Sequence, residues 1–184
     1  MTATDEGQAI QGPVAAAPIA HSGAVVWPAY AACAWAVVFA AMSFYWAAGG
    51  TAGGDTIGNV IRTPALARDP TFVAILWITG ALKAIAGLLA LALVRPWGRL
   101  FPRWMLITAG WGTGLLLILY GGANLAVRGL MAVGIISTPA SMHSVAARWH
   151  LLLWDPWWTL GGVLYVAATW CYGRRSRGPT IGSR

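Results

Sequence analysis

Four stretches of this chain, residues 27–48, 72–94, 104–127 and 156–172, run almost unbroken through apolar side chains, the last reaching back to Leu151 at its longest. Each comes close to the roughly 20 residues that cross a ~30 Å hydrocarbon layer as a helix rising ~1.5 Å per residue. In lipid every backbone N–H and C=O must find its partner within the segment, which dictates helices. A β-barrel would instead show alternating strands of about ten residues. The composition agrees: 58% of the residues are hydrophobic and only 9% charged, with a mean hydropathy of +0.65, against roughly 25% charged in an ordinary soluble domain. The expected fold class is therefore all-α, an integral membrane antiparallel four-helix bundle with short loop helices on its outer face, and its constant partner is the lipid bilayer.

Charge sets the direction of the spans. The link "RPWGRLFPR" between the second and third carries Arg95, Arg99 and Arg103, and the C-terminal segment carries Arg174, Arg175, Arg177 and Arg184. The other two loops carry Arg62, Arg68, Arg128 and Arg148, offset in part by Asp55 and Asp69. The basic excess belongs on the cytoplasmic side, so both termini are expected there. The formal charge of +7 and pI near 10.3 do not point to nucleic acid, because the basic residues flank apolar runs and form no single patch. Residues 1–26 hold Asp5 and Glu6 but no Lys or Arg, so they lack the n-region of a secretion signal; they are expected to be a disordered cytoplasmic tail. Residues 27–172 then form the membrane domain, with a fourth span over 151–172, and 173–184 form a basic cytoplasmic tail. Cys33 and Cys171 lie within apolar runs without CxxC spacing and read as buried, inert thiols. The twelve tryptophans cluster towards the ends of the spans and read as an interfacial belt, with a ligand-stacking platform on the outer face as the rival interpretation.

Lipid gives helices no hydrophobic reason to associate, so close packing depends on small side chains along one face. The first span supplies Ala29, Ala32, Cys33, Ala36, Ala40, Ser43 and Ala47 at helical spacing. Gly80, Ala84 and Gly87 line the second, Gly110, Thr113, Gly114, Gly121 and Asn124 the third, and Gly162, Val166 and Thr169 the fourth. These seams favour a compact bundle of neighbouring helices. Gly110 and Gly114 also form a GxxxG pair, which offers a route to a homo- or hetero-oligomer.

Lys83 stands at the centre of the second span, on the same face as Gly80, Ala84 and Gly87. A lysine there costs ~2.5–3.5 kcal/mol on insertion scales, and ~16 Å of helix separates it from either end. It therefore requires a partner, a water-filled cavity or the loss of its proton. Asp155 is the best placed acid, and Asn124 could accept from the ammonium through its amide oxygen; Asp55 and Arg148 complete a candidate outward-facing cavity. In "WHLLLWDPWW" Asp155 also fits an N-cap and Pro156 the first helical position, where a missing N–H costs nothing. His143 and His150 are seven residues apart without a third ligand, so no metal is expected. No histidine lies within a span to ligate haem, and no P-loop pattern is present; hence no cofactor is expected either. The segment between the third and fourth spans is expected to form one or two short interfacial helices.

The stretch "SFYWAAGGTAGGDTIG" resembles the signature of a family of small bacterial inner-membrane proteins known only as a domain of unknown function. In that family an aromatic-Trp pair precedes a small residue and a Gly-Gly-Thr turn, and a Gly-containing fourth span precedes arginines. The likeness covers residues 27–175, with only this first stretch specific. Such proteins often carry His where this chain has Phe44. The resemblance implies a four-helix fold in the inner membrane and supplies no activity. The expectation is thus a multi-pass membrane component, accessory or structural, that is not an enzyme. Its rival is a transporter or membrane enzyme handling an anionic or lipid-like molecule around Lys83.

Overall fold

The computed structural model describes residues 26–137 and 144–175; the expectations for the N-terminal tail, His143 and the last nine residues fall outside that range. Four long helices dominate: α1 (Trp27–Ala47), α4 (Pro70–Ala92), α5 (Arg103–Ala132) and α7 (Asp155–Arg175). Between α1 and α4 lie two short helices, α2 (Gly54–Ile57) and α3 (Asn59–Leu66); a 3-10 turn over Pro96–Leu100 leads into α5, and α6 (Val145–Trp149) leads through a π-helical turn over His150–Trp154 into α7. No strand occurs among the described residues. Three of the helices, α1, α4 and α5, are long and apolar enough to cross a membrane. The fourth, α7, has 21 residues but dilutes its aliphatic side chains with Trp, Gly, Thr and Tyr.

The helices meet where their side chains are small. Along α1, Ala29, Ala32, Ala36, Ala40, Ser43 and Ala47 are all buried, recurring every three or four residues as one helical face must. Gly80 of α4 lies under the ring of Phe44, and Gly87 faces Cys33 and Ala36; rising numbers on one helix meet falling numbers on the other, so α1 and α4 run in opposite senses. The same holds for α5 and α7, where Gly110 abuts Thr169, Gly114 abuts Val166 and Gly162, and Gly121 abuts Thr159 and the Asp155 carbonyl. The GxxxG pair of α5 is thus spent inside the chain. A third contact joins the two pairs: Trp35 of α1 packs over Gly161 of α7 and donates from Nε1 to the Trp157 carbonyl at 2.9 Å. Phe39 and Tyr165 complete this centre, both buried. The spatial order is accordingly α4, α1, α7, α5. Although consecutive in sequence, α4 and α5 touch little.

Two Asp-Pro pairs have opposite fates. Asp69 caps α4, its Oδ1 accepting from the Phe72 N–H at 2.8 Å with Pro70 in the first turn, which starts that helix ahead of residue 72. Asp155 does not cap α7. Its backbone is helical (φ −67°, ψ −43°) and continues the π-turn, so the chain stays helical from Val145 onward. The cause lies upstream. Arg68, immediately before Asp69, adopts a left-handed φ of 54° and turns the chain, whereas "RWHLLLW" before Asp155 keeps its helical path. A wide i→i+5 turn precedes Pro156, whose ring would crowd the carbonyl four residues back in a regular helix.

Candidate functional site

The end of α5 reaches further than its apolar run. At 30 residues it is ~45 Å long, so Arg128 sits on the helix and not in a loop. Arg128 lies seven residues beyond Gly121, and Asp155 seven residues before Gly162. Two helical turns is close to seven residues, so both side chains extend the glycine seam by one step and face each other across it. Arg128 Nε stands 3.0 Å from Asp155 Oδ2, and His150 Nδ1 lies 3.8 Å from Oδ1. Asp155 is 2% exposed, a buried carboxylate with a cationic partner, as such a burial demands. The π-turn shapes this end: it opens on His150, one wide turn ahead of Asp155, and closes on Trp154, which donates from Nε1 to Thr56 Oγ1 at 3.3 Å and ties the turn to α2.

Lys83 belongs to a second cluster. Its Nζ donates to Ser43 Oγ at 2.7 Å, and Ser43 Oγ donates onward to the Phe39 carbonyl at 3.4 Å. The ammonium lies 3.8 Å from the centroid of the Phe39 ring and 5.9 Å from that of Trp158. Aromatic faces attract cations through their quadrupole, more strongly where water is excluded. Phe39 and Trp158 meet edge to face at 4.7 Å, so α1 and α7 hold the ammonium of α4 together.

The residues proposed from sequence to form one cavity are therefore divided. Lys83 and Asp155 each have partners of their own, with no ion pair between them. Asn124 turns its amide to the Tyr120 carbonyl at 2.7 Å and does not serve Lys83. Arg148 is exposed on α6. Asp55 lies in α2, and its side chain is outside the described residues. Ser43, Arg128 and His150 were missed as partners. The seven-residue spacing pointed to Arg128, and Ser43 was already on the small-residue face. Among the described residues no group of three or more His, Cys, Asp or Glu side chains could hold a metal ion.

A cavity of about 280 Å³ with a mixed polar and apolar lining opens beside the end of α1 and the start of α4, lined in part by Trp46, Thr51, Arg62, Arg68 and Phe72. The signature stretch builds its wall. Tyr45 lies against Gly50 and its hydroxyl accepts from the Ala52 N–H at 3.2 Å. Trp46 donates from Nε1 to the Ala52 carbonyl at 2.9 Å. Arg68 closes α1 by donating to the Ala47 carbonyl at 2.9 Å. Gly49 and Gly53 take positive φ values of 104° and 76°, which a side chain would strain. The aromatic-Trp pair and the glycines after it are thus one folded turn. Phe44 packs on Gly80 and tilts against Trp77 at 5.4 Å, so an apolar ring fills this position.

No curated protein and no solved structure matches the chain. A family model described as "Protein of unknown function (DUF3995)" matches residues 36–165, a stretch that runs from the small-residue face of α1 through the signature turn to Tyr165 of α7. The chain belongs to that family.

Proposed function

We propose that this protein is a bacterial inner-membrane component without catalysis of its own: an antiparallel four-helix bundle, both termini cytoplasmic, with an accessory or structural role. The observation that carries this reading is that the interior charges have partners from within the chain. Lys83 is held by Ser43 and two rings, and Asp155 by Arg128 and His150. Four spans are favoured over three because α7 packs against both α1 and α5. A helix wedged along two membrane helices has to cross with them.

Orientation is tested by thiol labelling. In a variant with Cys33 and Cys171 replaced by Ala, Ser183→Cys is expected to stay unlabelled by an impermeant maleimide in intact cells and to label after permeabilisation. Thr51→Cys, at an exposed position, is expected to label in both. Labelling of residue 183 from outside reverses the topology.

The rival reading, a transporter or membrane enzyme for an anionic or lipid-like molecule, draws on the cavity beside Arg62 and Arg68 and needs Lys83 to act on a ligand. Lys83→Met separates the two. The substitution removes a charge that costs ~2.5–3.5 kcal/mol to insert, so the non-catalytic reading expects a protein at least as stable in detergent, by about 0–2 kcal/mol, with growth unchanged under conditions in which deletion of the gene impairs it. A variant that is stable but no longer complements the deletion makes Lys83 functional and favours the rival.

A further inference from the structure

The open side of the fold lies between α4 and α5. Their weak contact leaves a groove of about 280 Å³ whose walls expose no polar surface; it is lined by Ile85, Leu88 and Leu89 of α4, Met105 of α5, and Trp97 and Phe101 around the 3-10 turn. Beside it lies a second cavity of about 380 Å³, sharing Ala92, in which Arg95, Arg99 and Arg103 converge with no acidic residue in its lining. Arg103 is anchored by donating from Nη2 to the Gly173 carbonyl at 3.1 Å, and Arg95 lies over the Tyr30 ring at 5.7 Å. Trp97 in the groove's lining and Trp104, next to Arg103 in the chain, are both exposed, and indoles favour the headgroup layer of a membrane.

From this juxtaposition we propose that the α4–α5 seam binds an anionic phospholipid, its phosphate among Arg95, Arg99 and Arg103 and the upper part of one acyl chain in the apolar groove. The inference rests on the membrane topology proposed above, which puts the three arginines on the cytoplasmic side. An acyl chain gains little by leaving bulk lipid for an apolar groove, since both are equally dry. Selectivity therefore has to come from the head. Guanidinium groups bind phosphate oxygens through paired N–H donors, and basic pockets between helices on the cytoplasmic side suit anionic headgroups. The groove contributes direction: it fixes where the tail must lie, so a head that docks without a tail leaves half of the site unused.

The test uses the full chain in mild detergent and counts bound lipid by native mass spectrometry during titration. Phosphatidylglycerol is expected to bind at least tenfold more tightly than phosphatidylcholine of the same chain length. Arg95→Gln with Arg99→Gln, which spares the Arg103 anchor, is expected to abolish that preference. Leu88→Trp, which fills the groove at an exposed position and leaves all charges in place, is expected to weaken both lipids several-fold. Inorganic phosphate at millimolar concentration is expected not to displace phosphatidylglycerol. Equal binding of the two lipids, a preference that survives in the arginine variant, or displacement by inorganic phosphate each overturns the proposal; the last would make the site one for a free anion. Failure of the topology is seen separately, as outside labelling of residue 183, and does not depend on any lipid result.

Discussion

Gly162→Leu is expected to separate α7 from α5, lowering the stability of the detergent-solubilised protein by about 3 kcal/mol or more, the upper range for overpacking. A Cβ at Gly162 would sit 2.7 Å from both the Gly114 carbonyl oxygen and the Ile118 amide nitrogen. Both are helix backbone, so neither can swing aside as a side-chain tip would. The matched control is Gly122→Leu, one position from the seam residue Gly121, where an added Cβ meets nothing within 4 Å. That change is expected to be neutral or mildly stabilising, because Leu is the better helix former by up to about 1 kcal/mol. Unfolding in graded SDS, followed by circular dichroism, reads both. If the two variants unfold alike, the helices do not meet on this face.

The second large effect concerns the buried carboxylate. Asp155→Ala removes one member of a close ion pair, which for buried pairs typically costs 3–5 kcal/mol. Arg128 retains some exposure, its side chain being 20% accessible, so a loss of about 3 kcal/mol is expected. The double variant Arg128→Met with Asp155→Leu exchanges the pair for apolar groups of similar size and is expected to return to within about 1 kcal/mol of the parent, as replaced buried pairs often do. A double-mutant cycle measured by the same unfolding assay gives the coupling between the two sites. Additive single effects would show that the pair is not a unit. His150→Gln, at the longer 3.8 Å distance, is expected to cost less than about 1 kcal/mol.

Much of this arrangement was legible because small residues can be read at helical spacing. Gly110, Gly114 and Gly121 on one helix, and Gly162, Val166 and Thr169 on the other, do form the α5–α7 seam; the alanine face of α1 is the buried one. Lys83 stands out in the sequence as a cation that needs support within the helices; the contacts it makes, to Ser43 and to aromatic faces, are ones that hydropathy and charge counting do not register. The Asp-Pro pair at 155 misled for a different reason. Capping preference is local, and the same dipeptide at 69 does cap; what differs is whether the preceding chain arrives by a left-handed residue or by a helix. The end of α5 was underestimated because Arg128 looks like a loop arginine to a hydropathy window. Only its seven-residue distance from Gly121 reveals that it continues the seam. The weak α4–α5 contact had no sequence signal of its own, since a short connection ordinarily implies adjacent helices.

The order α4, α1, α7, α5 also bears on how the molecule is made. During synthesis α1 and α4 emerge before α5 and α7 and can pair at once through Gly80 and Gly87. When α5 follows, it meets little of α4, and its glycine face stays uncovered until α7 arrives to fill it. Helix α7 is therefore a keystone: it closes the centre against Trp35 and pairs Asp155 with Arg128 in the same step, so the packing among these four helices is complete only once Asp155 and the residues after it have been translated.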